Sequence, residues 1–356
     1  METKYCLGLD LSKNDFKACI VSVNQEQDIK VKASRTFDNT ISGFDQLWKW
    51  VGQKRKKDIP FNVVMEATGV YHENLAWFLY KKKANISILL PNRVKAYMTS
   101  LGHKSKNDKV DAMGLAKMGV IQKFTLWKPI SQDIYQLRAL TRHLEDLQNM
   151  RTGLINQREQ VKYAMYSVPD VKNSLEKTLK AVDKQIATCK KKIRETLHND
   201  KVLSAKVESM TSIKGVSDMT AAVVIAETNG FALIRNIKQL TSYAGYDIEE
   251  NQSGLKTGKT RITKKGNAHI RRAMHLPAFN MVRYKVKPFV NLYERLYDRS
   301  GIKMKAYVAI QSKVLTMMYI LWKNETSFDE NYQTRVESRD QEAKLPLPVI
   351  SEGNEK

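Results

Sequence analysis

Four carboxylates, far apart along the chain, have the types and spacing to share a metal ion. Asp10 lies in GLDLS, Glu66 ends VVMEA, and Asp108 and Asp111 stand in KNDKVDAMGLA. The last two are three residues apart at what reads as a helix start, so they share a face. Bare carboxylates at close range repel and raise each other's pKa. A divalent cation removes that cost, and oxygen-only ligands select Mg²⁺ or Mn²⁺ over zinc. Such an ion polarises a phosphoryl group and holds the attacking and leaving oxygens of an in-line displacement. Each acid also has a plainer reading. Asp10 can cap a turn, Glu66 can be an exposed strand end, and Asp108 and Asp111 can complement a helix dipole.

A second constellation lies in NQSGLKTGKTRITKKGNAHIRRAM. From Lys256 to Arg272 it carries Lys256, Lys259, Arg261, Lys264, Lys265, Arg271 and Arg272 with no acid between them. Such a run neutralises phosphates, and Gly254, Gly258 and Gly266 among the cations argue for close backbone approach to a ligand. Ser253 stands just before Gly254. A serine hydroxyl needs activation and a stabilised phosphorane to attack phosphorus. Nearby cations suit the second need, and a metal or carboxylate the first. Most loop serines have no such role. GLKTGKT resembles a phosphate-binding Walker loop but is one residue short between its glycines, and no apolar strand precedes it. Upstream, SIKGVSDMTAAVVIAE reads as helix, glycine turn and apolar helix, a helix-hairpin-helix-like element. Its turn, Gly215 to Ser217, suits a phosphate as well as it suits simple helix packing.

The whole composition agrees with a polyanionic partner. Sixty Lys and Arg against 37 Asp and Glu give a net charge of +23 over 356 residues, which marks nucleic acid more often than a membrane surface. No apolar run reaches the length of a membrane span, and the N-terminus lacks a signal-peptide layout. Cys6, Cys19 and Cys189 form no CxxC pattern and read as reduced, buried thiols of a cytoplasmic protein. His269 and His275 lack the spacing of a helical metal pair.

These residues must be held by three kinds of element. Residues 1–125 read as three consecutive strands, then helix, strand, helix, strand, helix. This is the order of an α/β ribonuclease-H-like domain, in which the ends of the first and next inner strands approach the last helix. Phe44, Leu47, Trp48 and Val51 mark the apolar face of the first helix. Residues 131–207 carry a coiled-coil pattern: Leu137, Leu140, Leu144, Leu147, Leu154, Val161 and Met165, then Leu175, Leu179, Val182, Ile186, Cys189, Ile193 and Leu197. Two long helices joined at Pro169 predict an antiparallel hairpin or a coiled coil between chains, acting as an oligomerisation arm in preference to a helical layer packed on its own chain. Residues 208–323 read as mostly helical with a Gly-rich loop from Gly245 to Gly266. Residues 324–356 read as a disordered tail.

GLDLSK, MEATGVYHENLA, KNDKVDAMGLA, IKGVSDMTAAVVIAE, YAGYDIEENQSG and TKKGNAHIRRAM occur in one order over about Tyr5 to Lys323. In this the chain resembles the DEDD-type insertion-sequence transposases, which include the Piv-like DNA invertases and the bridge-RNA-guided recombinases. The resemblance implies a RuvC-like N-terminal domain whose Asp-Glu-Asp-Asp set falls on Asp10, Glu66, Asp108 and Asp111. It also implies a C-terminal transposase domain whose catalytic serine falls on Ser253. Ser242 and Ser217 are weaker candidates because neither lies in a Ser-Gly motif. Implied further are a covalent serine–DNA intermediate that conserves bond energy, and Mg²⁺ as cofactor. The implied partners are donor and target DNA, a noncoding bridge RNA that sets sequence choice, and other copies of the chain in a dimer or tetramer. In such a multimer the acids of one subunit can meet the serine of another. The expected location is the cytoplasm of a prokaryote, at its nucleoid. The alternative keeps the fold and changes the outcome: a RuvC-like endonuclease that hydrolyses DNA junctions with water. An actin-like ATPase would need a second phosphate loop of the Asp-Gly-Gly kind, which this sequence does not show, and a non-catalytic nucleic-acid-binding protein would tolerate Asp→Asn at all the acidic positions.

Overall fold

A computed structural model describes residues 1–67, 69–100, 108–249, 252–253, 256–257 and 261–332; the side chains of 108, 109, 252, 253, 256 and 257 lie outside that description. The chain divides into two compact units, Met1–Pro129 and Ile130–Lys356.

In the first unit the strands β1 (Glu2–Leu11), β2 (Asp15–Asn24) and β3 (Ile29–Asp38) are followed by α1 (Ile41–Lys54), β4 (Phe61–Glu66), α2 (Glu73–Lys81) and β5 (Asn85–Leu89). Then come α3 (Pro91–Ser100) and α4 (Asp108–Ile121). The sheet order is β3-β2-β1-β4-β5, with the first three strands antiparallel and β1, β4 and β5 parallel. This is the ribonuclease-H-like arrangement, RuvC-like in its strand order, that the element sequence predicts. Alternation splits the apolar residues between two faces. Leu7, Leu9, Val63 and Met65 join α1 and α2 in one core, while Cys6, Cys19, Val21 and Val64 join α3 and α4 in the other. On α1, Phe44, Leu47 and Val51 are buried as expected. Trp50 is buried as well, whereas Trp48 is only partly covered, because residue 50 falls beside the buried Gly43 and Leu47 on the covered face, while 48 falls just outside the stripe's other edge, past Phe44.

Small residues set α4 directly upon the sheet. A Cβ at Gly8 would collide with the carbonyl of Ala112 and the amide of Ala116, and one at Gly119 would strike the Cys6 sulfur and Val64. At Gly8 the helix backbone therefore rests directly on β1, and at Gly119 it rests on the Cys6 sulfur.

The second unit begins with α5 (Gln132–Lys162) and α6 (Pro169–His198), followed by α7 (Lys201–Thr211), α8 (Asp218–Thr228) and α9 (Ile237–Ala244). Four short strands follow: β6 (Ile248–Glu249), β7 (Gln252–Ser253), β8 (Lys256–Thr257) and β9 (Arg261–Ile262). The chain then forms α10 (Ala268–Ala273), α11 (His275–Arg283), α12 (Lys287–Ser300) and α13 (Lys303–Asn324). Ala221, Ala222, Val224, Ile225 and Ala226 make α8 apolar around most of its girth, and it is buried accordingly.

The long helices do form an antiparallel hairpin: Cys189 meets the carbonyl of Leu140, and Arg151 pairs with Asp183. Its inner half is not free, however. Leu137, Leu144, Leu147, Val182, Ile186, Cys189, Ile193 and Leu197 share one core with α8 and α13. The helical layer packed on its own chain therefore accounts for that half of the seam. The outer half differs: Leu154, Val161, Leu175 and Leu179 are only partly covered. Met165 lies beyond the end of α5 and is exposed.

Residues just past the expected boundary at 324 also pack. Phe328 joins the core beside Phe289, and its amide donates to the Ser212 hydroxyl. The rest of the predicted tail, from 333, lies outside the described residues.

Candidate active site

The geometry of the acidic end follows from register. In the parallel pairing of β1 with β4, Leu9 stands opposite Met65, so the next positions in that register are Asp10 and Glu66. Alternation puts Asp10 on the side of Cys6 and Gly8, and Glu66 on the side of Val64. Both therefore face the α4 layer at the carboxyl ends of their strands, and both are partly buried.

Helix α4 brings its first turn to the same end. Gly119 sits over Cys6, while Ala116 and Ala112 sit over Gly8, so decreasing helix numbers run toward Asp10. Position 108 is one turn before Ala112, and Asp111 is one turn before the buried Leu115. Asp111 thus stands in the stripe of α4 that faces the sheet. Asp111 is partly buried, and the side chain of Asp108 lies outside the described residues. Among the described residues no three His, Cys, Asp or Glu side chains form a metal-holding group. The donor chemistry fits a hard divalent ion, since Asp10, Glu66 and Asp111 offer carboxylate oxygens only. Sequence reasoning missed Lys17, which lies directly across from Asp10 on the same face and whose ammonium donates to the Thr36 hydroxyl at 2.8 Å. Its place was legible only through the hairpin register.

Ser253 stands in the second unit on a two-stranded ribbon, where sequence reasoning expected an irregular Gly-rich loop. Ile248 pairs with Ile262, Glu249 with Arg261, Gln252 with Thr257 and Ser253 with Lys256. Of these nested antiparallel pairs, Ser253 and Lys256 form the innermost. Gly254, Gly258 and Lys259 lie outside the described residues, as does the side chain of Ser253. Of the alternatives, Ser242 is on α9. Ser217 caps α8 by accepting from the Thr220 amide, where Asp218 also meets the helix dipole and lies near Arg194 and His198. The anion-seeking end of α8 is thus addressed from within the chain.

The base of the ribbon is fixed by a buried polar hub. Glu227 on α8 is 2% exposed. Its carboxylate accepts from Arg142 at 2.8 and 3.0 Å and from the Asn267 amide at 2.7 Å, while its carbonyl accepts from the Tyr243 hydroxyl at 2.7 Å. Burial pushes the Glu227 carboxyl up, but the Arg142 fork and the Asn267 amide outweigh it and hold the pKa below the ordinary carboxylate value. Arg138 donates to the Ala226 carbonyl at 2.8 and 3.1 Å. Gly245 and Gly266 touch backbone to backbone: a Cβ on Gly266 would strike the Gly245 amide and the Tyr243 carbonyl.

The cationic run divides once these contacts are seen. Arg271 donates to the Ala244 carbonyl at 2.7 Å and braces the ribbon base. Arg272 pairs with Glu145 on α5, which also binds His269 Nδ1 at 2.7 Å. Lys265 pairs with Glu249 at 3.0 Å. Arg261, Lys264 and Lys265 are exposed. The side chains of Lys256 and Lys259 lie outside the described residues. Glu145 and Glu249 come from beyond the run, so the absence of acids within it hid these pairings. The spacing of Arg138, Arg142 and Glu145 on α5 was the one available signal, since it puts polar residues on one helix face.

Two family models match this chain. Residues 7–161 match a model described as "Transposase", of the DEDD type, and residues 207–294 match "Transposase IS116/IS110/IS902 family". The pilin gene-inverting protein of Moraxella bovis is 27% identical over 330 residues, covering 92% of this chain and 98% of its own; that of Moraxella lacunata matches equally. Among solved structures, RuvC of Thermus thermophilus aligns with 33% of this chain and 92% of its own at 11% identity, with a TM-score of 0.26. A Ppx/GppA protein of Aquifex aeolicus aligns with 96% of this chain and 99% of its own at 8% identity, with a TM-score of 0.21.

Proposed function

The chain belongs to the IS116/IS110/IS902 family of transposases, and on that premise we propose that it cuts and rejoins DNA through a serine-linked intermediate. Asp10, Glu66, Asp108 and Asp111 would hold Mg²⁺, or Mn²⁺ in its place, beside the scissile phosphate. The bound ion would supply charge neutralisation at the phosphoryl oxygens. The Ser253 hydroxyl attacks phosphorus and loses its proton. A phosphoserine diester forms, the phosphorus–oxygen bond of the cut strand breaks, and the released strand end leaves as a hydroxyl. Attack by the hydroxyl of an incoming strand on that diester restores the serine, so the number of phosphodiester bonds is conserved and no nucleotide cofactor is consumed. Lys256, Lys259, Arg261, Lys264 and Lys265 hold the DNA backbone, with Arg271 and Arg272 supporting the ribbon that presents them. A noncoding guide RNA selects donor and target, and a dimer or tetramer supplies acids and serine from different subunits.

The observation that carries this reading is the placement of Asp10 and Glu66 at matching strand ends on the face covered by α4, with the first turn of α4 arriving at the same end. The net charge of +23 supports a nucleic-acid substrate. The test is to trap cleavage on labelled DNA with RNA present. A protein–DNA adduct that disappears in Ser253→Ala and without Mg²⁺ is expected. Cleavage that persists in Ser253→Ala with no adduct would replace this mechanism by hydrolysis with water.

A further inference from the structure

The first unit carries a second basic surface that the cutting chemistry does not use. After α4 the chain returns along the edge of β5, where the Trp127 amide donates to the Ile86 carbonyl at 2.7 Å. There it closes a hollow of about 600 Å³ against the end of α2. Trp77, Tyr80 and Trp127 form its wall. Trp127 meets Trp77 at 6.1 Å and Tyr80 at 6.0 Å, edge to face. Residues 77 and 80 are three apart on α2, on the side opposite Leu75, Ala76 and Leu79, which enter the core. Trp77 and Tyr80 remain 40% and 43% exposed. Aromatic surface of that size usually goes inside or meets a partner. Lys81, Lys83 and Lys128 surround the rings, and no carboxylate lines the hollow. A neighbouring hollow shares Lys83 and Asn85 and extends the track past Lys57 and Arg55, with Asp58 among them.

We propose that this groove binds an unpaired stretch of RNA, with bases stacked on Trp77 and Tyr80 and phosphates held by the lysines. Exposed aromatic faces beside clustered cations are the chemistry that recognises unpaired bases. A duplex hides its base faces and would use only the charges. The groove lies at the Asn85 end of β5, whereas the acids stand at the Glu66 end of β4, level with Leu89. Of the unpaired strands that could reach this end, a folded RNA is the one the guide reading supplies in every step, and oligothymidine in the test stands for a displaced DNA strand. This deepens the guide-RNA reading and rests on it for the partner's identity.

The test uses the full chain and a twelve-residue oligouridine, with oligothymidine of equal length and a duplex DNA as further arms. Trp77→Ala and Tyr80→Ala should each weaken oligouridine binding roughly tenfold, as loss of one stacked base does, with duplex binding and melting temperature unchanged. Lys81→Glu should weaken it without touching a ring. Unchanged oligouridine affinity in all three variants would overturn the proposal. So would oligothymidine binding as tightly as oligouridine. Failure of the guide reading has its own signature: recombination by the unaltered chain with no RNA present, whatever the groove binds.

Discussion

The acidic end and the serine ribbon are held in place by opposite means. Asp10 and Glu66 project from strands whose register is fixed along their length, and α4 is seated at Gly8 and Gly119, where an added Cβ would collide. The ribbon pairs only at short stretches, and its base depends on one buried carboxylate shared by residues from distant elements. Apolar packing at close range leaves few alternatives, because interiors are nearly as dense as crystals. A buried polar hub is equally definite while every member is satisfied, and fails sharply when one is removed. Position by packing is therefore robust to changes of charge, and position by a polar hub is robust to changes of volume at its rim.

This contrast is open to direct attack. The largest effect should come from Gly8→Val. The added side chain meets backbone atoms of α4, which cannot rotate away, so the first unit should lose about 4 kcal/mol or more. A thermal melt should show it, and an unchanged melting temperature would mean α4 is not held as described. Next, Arg142→Ala leaves Glu227 buried without its main partner. A loss of about 3 kcal/mol is expected, measured by urea unfolding, with loss of recombination tracking loss of the ribbon's pose.

The pH dependence sharpens the same point. The Glu227 carboxyl has a folded pKa below its unfolded value, which is about 4.3. Its contribution is therefore whole above that pH and is lost as pH falls through the folded value. Glu227→Gln should flatten the acid limb of the stability curve; an identical limb in the variant would count against the hub. The smallest effect should be that of Lys264→Ala on the exposed rim of the ribbon. It should weaken DNA binding evenly across sequences and lower the salt slope by about one ion, with no change in melting temperature.

Much of the first unit was legible because its signals are local. The runs leading to Asp10 and Glu66 are short continuous apolar stretches, as strands buried on both faces are, and Asp108 and Asp111 share a helical face by spacing alone. Lys17 escaped notice because its position opposite Asp10 depends on the register of a hairpin. In the hairpin helices, Leu144 and Ile186 had the right period, yet period cannot say whether a seam meets its own chain or another. The charge run misled in a similar way, since Glu145 and Glu249 reach Arg272 and Lys265 from outside it.

The amino-acid order alone determined the strand-and-helix sequence of the first unit, the acids at its element ends, the long paired helices and the basic character of the whole. Periodicity and charge are properties of neighbours along the chain, and so they can be read there. Only the folded molecule decided that Glu227 ties Arg142 to Asn267, that Ser253 rides a ribbon, and that Trp77, Tyr80 and Trp127 meet beside three lysines. Each of these joins residues from separate elements, and their proximity is a consequence of burial and register that no local window contains.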